Sequence, residues 1–388
     1  MMPKCFGNRW CGSLVLAALL LPGLAPAQGS GGDWRYGADL RAGFFASERD
    51  RRDGGEQSDE SLRARLRFYL QRELSPSWLF RTRLAGSFSS EDNDFALRLD
   101  RYRATPTGTR AGEVHFDEFY ARWQDANNRH QLRIGRFQTA FNLPVVPGKS
   151  LDRNDASNVG IGWTDGLYWQ SQLESGWEWH AIAQANHPLG ASNTARRPLD
   201  FSDDGSRLGA YLALRSTEPF GPLSLRMLSL NWVPDSLAVN GLSDPRREDY
   251  LTVTAKAAAG WPMSEDGRRF VLAGEYGRAL ETPQRPALGL VGSGRTAGDA
   301  YQISANIFDL APGHHVGLVV GRAHAGWLTS NDYRNNDDLY EIRYQRRFTP
   351  DLSIEVRFRI RQEIERRIGA ERLQHDRDLY ARVTWRIR

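Results

Sequence analysis

Arginine is the residue type whose spacing in this chain points most directly to chemistry. Arg63, Arg65 and Arg67 alternate with apolar residues, and three arginines between positions 357 and 361 do the same. A period of two places each set on one face of a β-strand, because a helix would scatter it around its whole circumference. Guanidinium groups aligned on a water-facing surface attract anions, so these segments predict a basic wall that concentrates anionic solutes.

Fourteen arginines fall on the face that we predict to point inward. They lie mostly on strands at the two ends of the chain, which become neighbours if the first and last strands pair, so most of the set forms one contiguous sector. In a water-filled tube such a sector raises the local concentration of anions. The alternative is that these arginines pair with wall carboxylates such as Asp39 and Glu355 and only stiffen the wall. The predicted pore-lining residues are Arg35, Arg41, Arg63, Arg65, Arg67, Arg81, Arg83, Arg133, Arg343, Arg357, Arg359, Arg361, Arg382 and Arg386.

The sequence carries no motif that indicates an enzyme. It has no glycine loop for phosphates, no serine nucleophile elbow and no clustered metal-ligand spacing. His314 and His315 fall in a predicted tight turn, where we interpret them as solvated. Outside the first 27 residues the chain has 49 basic and 47 acidic residues, which gives no nucleic-acid signature. We therefore predict no catalysis, no cofactor, no metal and no nucleic-acid partner.

The elements that position the arginines are long alternating strands. Leu352, Ile354 and Val356, for example, alternate with polar residues in a single run. Such runs of about 10–13 residues exceed the 5–6 residues of ordinary globular strands and can cross an apolar band of about 25 Å. We predict sixteen strands, at 34–47, 61–74, 78–90, 113–124, 129–137, 166–174, 176–186, 206–216, 222–233, 249–260, 268–280, 300–310, 315–326, 338–348, 351–363 and 377–388.

The connections between these strands alternate between short and long. Short turns such as 75–77 and 349–350 follow the even-numbered strands, and long polar segments such as 91–112 and 364–376 follow the odd-numbered ones. Short periplasmic turns alternating with long external loops are typical of an outer-membrane barrel, whereas a soluble sandwich has no reason to alternate in this way. The predicted fold class is all-β, a transmembrane antiparallel β-barrel of about sixteen strands with both termini on the periplasmic side.

Residues 1–27 are typical of a cleavable export signal. Lys4 and Arg9 precede the apolar stretch 13–21, which is too short to span a membrane as a helix, and residues 25–27 have the small-x-small form of a cleavage site. Both cysteines lie in this segment, so residues 28–388, the predicted barrel domain, contain none. We predict localisation in the bacterial outer membrane, with outer-membrane lipid as a partner.

The third long connection, at 138–165, differs from the other predicted external loops. It contains apolar residues such as Phe141, Val145 and Val146, which would forgo roughly 1.5–3 kcal/mol each if they stayed in water. We therefore predict that this loop folds inward, packs on the barrel wall and narrows the pore. Its candidate constriction residues are Lys149, Asp152, Arg153 and Asp155, with the two aspartates opposing the basic wall.

Two neighbouring segments resemble a known family. Residues 117–123 (DEFYARW) are followed by 132–137 (LRIGRF), and the second segment leads into the candidate constriction loop. This order of features is similar to the sixteen-stranded bacterial porins, and more specifically to the phosphate-selective porin O and P family. The resemblance implies a pore. The family's basic constriction cluster includes lysines, but residues 28–388 hold only Lys149 and Lys256, and the chain ends in Arg388 rather than an aromatic residue.

The predicted function is an outer-membrane porin, a passive diffusion channel for small hydrophilic solutes with a preference for anions, phosphate-like or organic. Two alternatives stay open. One is an export channel for a polymer or another specific substrate, and the other is an outer-membrane barrel enzyme such as a protease or phospholipase. Known enzyme barrels are smaller, and sixteen strands leave an aqueous channel. A homotrimer is one assembly compatible with this architecture.

Overall fold

The structure is a computed structural model that describes residues 34–91, 96–97, 112–156, 158–187 and 196–387. The predicted export signal lies outside the described residues and stays a prediction. Among the described residues, no helix is both long and apolar enough to cross a bilayer.

Seventeen β-strands are present in the described part of the chain, and two short 3-10 helices lie between them. The strand β4 has only two residues and pairs in parallel with β5, so it is not a wall strand. The strands are β1 Trp34–Asp50, β2 Glu56–Ser75, β3 Trp78–Ser89, β4 Ala96–Leu97, β5 Glu113–Gln124, β6 His130–Phe137, β7 Thr164–Gln172, β8 Glu178–Ala185, β9 Leu208–Ser216, β10 Leu223–Leu237, β11 Glu248–Pro262, β12 Arg269–Ala279, β13 Asp299–Ala311, β14 His314–Ala323, β15 Asp337–Arg347, β16 Leu352–Glu363 and β17 His375–Ile387.

The other sixteen strands close into one antiparallel barrel. Each pairs with its neighbours in sequence, β3 pairs with β5, and β1 pairs with both β2 and β17. Closure leaves no unpaired edge. The predicted all-β fold and strand count are therefore confirmed, and each predicted segment corresponds to one wall strand.

The two faces of the wall follow the alternation of the sequence. On β2, Leu62, Leu66 and Phe68 are exposed on the outer surface, whereas Arg65 and Arg67 are buried on the inner side. An apolar outside and a polar inside are the reverse of a soluble protein and fit a wall that faces lipid.

The alternation of the sequence is blurred around Glu118 and at Met227–Leu228, which predicts a β-bulge at each place. On β5 the pairing with β3 shifts at Asp117, which adds one residue and turns both Asp117 and Glu118 inward, as the blurred alternation there predicted. A similar shift expected at Met227 is absent, because Met227 and Leu228 pair regularly with β11. Both residues are apolar for another reason: Leu228 is exposed on the outer surface, and Met227 packs inside with Tyr211.

Candidate functional site

The segment between β6 and β7 forms a hairpin over residues 139–155. The amide of Asp155 donates to the carbonyl of Thr139 at 3.0 Å, that of Phe141 to Arg153 at 3.1 Å, and that of Leu143 to Lys149 at 3.2 Å. Pro144, Pro147 and Gly148 lie at its tip. This pairing gives the 139–155 hairpin a defined shape outside the barrel ladder.

Lys256 of β11 is inserted between the two arms of the hairpin. Its Nζ donates to the carbonyl of Phe141 at 2.7 Å and to Ser150 Oγ at 2.7 Å, and it lies 2.6 Å from Asp152 Oδ1 and 2.9 Å from Glu275 Oε1. Burial alone would raise the pKa of Asp152, but the Lys256 ammonium and hydroxyl donors lower it below its usual range. We call Lys256, Asp152 and Glu275 the lysine cluster.

Apolar contacts also hold the hairpin against β9–β14. Phe141 stacks on Tyr211 with ring centroids 5.2 Å apart, and Leu143 packs with residues of β10, β11 and β12. Val146 packs with Val271 and Phe308. Gly317 of β14 leaves room for the tip, because a Cβ there would lie 2.9 Å from Val146 Cβ and 2.7 Å from the ring of Pro147.

The inner faces of the same strands supply polar contacts. Asn306 accepts a hydrogen bond from the amide of Val146 at 3.0 Å, and Glu275 accepts one from the amide of Leu151 at 3.0 Å. Thr254 Oγ1 donates to Asp152 at 3.1 Å. This half of the inner wall is therefore covered by the hairpin rather than open to water.

Arg153 and Asp155 are buried where the hairpin meets β7 and β8. Arg153 donates to Thr164 Oγ1 at 2.9 Å and to Gln184. Asp155 accepts hydrogen bonds from the Thr139 amide at 2.9 Å and from Thr164 Oγ1 at 3.1 Å. Burial raises the pKa of Asp155, although Arg153 and these donors oppose the rise. Both side chains, like that of Asp152, lie outside the lining of the cavity described below.

The segment between β14 and β15 also binds the hairpin, along residues 150–154. Trp327 Nε1 donates to the carbonyl of Leu151 at 2.9 Å, and Ser330 Oγ donates to that of Ser150 at 2.9 Å. Asp332 accepts hydrogen bonds from the Ser150 amide at 3.0 Å and from Asn154 Nδ2 at 2.8 Å. Two connections therefore fill part of the barrel together.

Beyond the hairpin, the chain reaches the arginine-bearing strands. Arg41 of β1 donates to the carbonyl of Asn158 at 2.8 Å, and Arg382 of β17 donates to its side-chain oxygen at 2.6 Å. Arg65 donates to the carbonyl of Gly160 at 3.2 Å. The connection thus touches both halves of the wall.

A cavity of about 780 Å³ lies between this connection and the arginine-bearing strands. Among the described residues that line it, eleven are basic and seven are acidic, an excess of four positive charges. The basic ones are Arg41, Arg49, Arg63, Lys149, Arg334, Arg343, Arg347, Arg357, Arg359, Arg361 and Arg382, and the acidic ones are Glu48, Asp59, Glu91, Asp332, Glu355, Asp376 and Asp378.

Several cavity arginines share carboxylates. Arg357 and Arg359 both contact Asp378, the latter at 2.6 Å. Arg343 and Arg382 both contact Glu355, at 3.3 and 3.0 Å, and Arg343 also pairs with Glu341, which Lys149 contacts at 3.0 Å. Two cations meet one carboxylate in the first group and three cations meet two carboxylates in the second, so these ion pairs do not cancel the basic character of the wall.

Lys149 is the one candidate of the hairpin that lines the cavity within the described ranges. Its Nζ lies 3.0 Å from Glu341 Oε2 on β15. Burial lowers the pKa of Lys149 to about 8, although Glu341 favours the charged form. Lys149 therefore changes charge close to neutral pH.

The remaining predicted arginines lie elsewhere on the inner face or at the barrel ends. Arg67 and Arg83 pair with Asp117, at 2.9 and 2.8 Å, and Arg81 pairs with Glu118 at 2.6 Å. These pairs match the stiffening alternative. The other placements are Arg35 paired with Glu73, Arg65 paired with Asp39, Arg133 against the rings of Tyr120 and Tyr168, and Arg386 exposed near the end of β17.

Sequence reasoning missed several residues that organise this site. Asn158, Glu275, Trp327 and Asp332 were not singled out as contacts of the loop. Lys256 is one of only three lysines in the whole chain, which is a signal that could have directed attention to it.

Comparisons with known proteins agree with this architecture. No family model and no curated protein matches the chain. Among solved structures, OprB of Pseudomonas putida is similar over 91% of this chain and 94% of its own, with 10% identity and a TM-score of 0.61. OpdL and OpdQ of Pseudomonas aeruginosa are similar over 91% of this chain and 98% and 97% of their own, with 13% and 11% identity and TM-scores of 0.53 and 0.52.

These neighbours are outer-membrane porins, so the chain has the fold of a sixteen-stranded outer-membrane porin. At such low identity the likeness shows the fold alone. The finer resemblance to the phosphate-selective porin O and P family stays a prediction.

Proposed function

We propose that this protein is a passive diffusion channel of the bacterial outer membrane, exported by cleavage of residues 1–27, that admits small hydrophilic solutes and prefers anions. The porin fold supports the channel, because sixteen strands enclose an interior wider than side chains alone can fill. The lipid-facing residues of β2 and its neighbours support the membrane location.

The anion preference rests on the charge of the cavity. Eleven basic against seven acidic side chains line it among the described residues, and most of the basic ones lie on β1, β2 and β15–β17. Charges in a narrow aqueous passage with low-dielectric walls interact more strongly than in bulk water. An anion therefore enters this cavity at lower cost than a cation of the same size.

We assign the constriction to the 139–155 hairpin and the segment after it. The hairpin lies against β9–β14, on the side of the interior opposite the arginine-bearing strands. Lys149 contributes a cation there. Asp152 and Asp155 hold the hairpin in place instead of setting a field across the pore, because both carboxylates are buried and hydrogen-bonded.

The two sides of the cavity differ in chemistry. The connection contributes apolar and amide groups, including Val145, Val146 and Asn158, and the wall opposite contributes arginines. A solute with an anionic group and an apolar part satisfies both sides. Organic anions therefore fit this cavity better than inorganic phosphate.

Reversal potentials in a planar bilayer under a salt gradient test the proposal. Arg41 and Arg361 donate to backbone carbonyls of Asn158 and Asp332, so neutralising them leaves no hydrogen-bonded carboxylate without its donor. R41Q/R361Q should shift the reversal potential toward cations. R129Q/R246Q removes the same charge from exposed positions outside the cavity lining and should not. A cation-selective wild type, or equal shifts in both variants, would show that the arginines are structural.

A further inference from the structure

A short segment, residues 158–160, crosses from the hairpin to the arginine-bearing wall, and we call it the strap. Asn158 offers two oxygens there. Its main-chain carbonyl accepts a hydrogen bond from Arg41 at 2.8 Å, and its side-chain oxygen accepts one from Arg382 at 2.6 Å. One neutral residue therefore presents two oxygens to two guanidinium groups, which is the arrangement that a carboxylate offers to arginine.

The strap forms a floor of the cavity. Its residues line the cavity together with Arg41 and Arg382. Arg65, which donates to the carbonyl of Gly160, is fully buried beside it. The strand β1 starts at the short-turn end of the barrel, so Asp39 lies nearer to that end than Arg41, and its side chain is partly exposed although it lies outside the cavity lining. The strap therefore stands between the cavity and a solvent-accessible region on the short-turn side.

The two arginines that hold Asn158 have capacity left for an anion. Arg41 forms no ion pair with a carboxylate of the described chain, and Arg382 shares Glu355 with Arg343. The Nε atoms of Arg41 and Arg382 are buried and lack a hydrogen-bond partner within the described ranges. A hydrogen bond from guanidinium to a carboxylate is stronger than one to a neutral amide oxygen. A carboxylate that reaches this pair is therefore a better ligand for it than Asn158.

The backbone of Asn158 also favours release. Its φ of 43° lies in the left-handed region. Asparagine tolerates this conformation better than most residues, but the right-handed and extended regions are more favourable for it. Once the contacts with Arg41 and Arg382 are lost, the backbone can return to those regions, which lowers the cost of moving the strap.

We propose that Asn158 holds the channel closed by imitating a carboxylate, and that the carboxylate group of an organic anion opens it by taking over Arg41 and Arg382. This inference rests on the channel function proposed above. Anion binding and strap release are coupled, because the anion can use these donors when Asn158 has left them. Chloride offers a single acceptor atom, whereas the two oxygens of a carboxylate can meet both arginines at once. The hairpin stays docked, since the contacts of its lysine cluster do not involve the strap.

Single-channel recordings in potassium chloride, with and without added propionate, test the proposal. The wild type should dwell in a low-conductance level in chloride alone, and propionate should increase the time spent in a higher level. N158A removes the oxygen that Arg382 binds, so the higher level should already dominate in chloride. N158D gives the strap a true carboxylate, so the propionate concentration for half-maximal opening should rise at least about ten-fold.

The matched control for the added charge is N142D. Asn142 lies on the cavity lining, and its side-chain oxygen has no hydrogen-bond partner in the described chain. The variant therefore introduces the same negative charge without a contact to Arg41 or Arg382. N142D should lower the anion preference as N158D does, but it should keep the wild-type response to propionate.

Two results would overturn the proposal. These are equal dwell times with and without propionate in the wild type, and the same half-maximal propionate concentration in the wild type and N158D. If N158D does not fold, N158A decides, because a persistent low-conductance level in that variant contradicts a strap held by the side chain of Asn158. An anion-selective channel that fails these tests keeps the function proposed above and loses the strap mechanism. A folded barrel without conductance in any solution would instead refute the channel function.

Discussion

Replacing Lys256 with methionine should loosen the 139–155 hairpin without opening the barrel. Lys256 is fully buried and lies within 3 Å of two carboxylates, Asp152 and Glu275, which are themselves buried. Methionine retains most of the volume but leaves both carboxylates without their cation. Removing one partner of a buried ion pair costs about 3–5 kcal/mol, because the remaining charge is desolvated and unpaired.

The lost free energy destabilises the docked position of the hairpin rather than the barrel. The barrel ladder makes no use of the Lys256 side chain, whereas both arms of the hairpin bind it. About 3–5 kcal/mol corresponds to a shift of roughly 10²–10³ or more in the ratio of undocked to docked hairpin. Single-channel recordings of K256M should therefore show higher open-channel noise and additional, larger conductance levels, while thermal unfolding of the barrel on gels stays unchanged.

The matched control removes all three charges of the lysine cluster together. In D152N/K256M/E275Q no buried charge lacks a partner within the cluster. The open-channel noise should therefore fall most of the way back to the wild-type level. Lowering the pH should also reduce the open-channel noise of K256M, because protonating the carboxylates removes the unpaired charge. A K256M channel with wild-type noise and conductance would show that the lysine cluster does not hold the hairpin.

Three further predictions concern the same interior. Raising the pH from 7 to 9 should lower the anion preference, because Lys149, with its pKa lowered to about 8, loses its positive charge in that window, and K149M should lose this pH step in the reversal potential. Gly317→Val should displace the hairpin tip and raise conductance, since overpacking costs about 1–3 kcal/mol, whereas Gly274→Val on the lipid side, where the nearest atom is 3.5 Å away, should conduct normally. Deleting residues 144–156 should widen the pore and raise conductance in a folded barrel, and unchanged conductance would place the loop outside the pore.

The wall of this protein could be predicted from its sequence because strand alternation is a local property. Leu62, Leu66 and Phe68 face outward and Arg65 and Arg67 face inward for the same reason, the period of two along one strand. The short turns and long connections then set the order of strands. Even the extra residue at Asp117 left a visible break in the alternation.

The contacts of the hairpin could not be predicted in the same way. Lys256 and Asp152 are 104 positions apart in sequence, and no periodic pattern relates them. Apolar residues such as Phe141 and Val146 indicated that the loop would be buried, but not which of its charged residues would be buried with them. The pairing depends on where the hairpin crosses β11 and β12, which is a property of the closed barrel.

One consequence is that the same polar alternation produces two different inner surfaces. Thr254, Glu275 and Asn306 bind the hairpin and are buried, whereas Arg357, Arg359 and Arg382 line the cavity on the other side. From the alternation of the sequence alone, both sets are predicted to line one water-filled interior. The charge that a solute meets is therefore set by which half the hairpin covers, and the excess of four positive charges survives because the hairpin occupies the half that is poorer in arginine. In the proposed channel, selectivity consequently depends on the docking of the hairpin as much as on the arginines themselves.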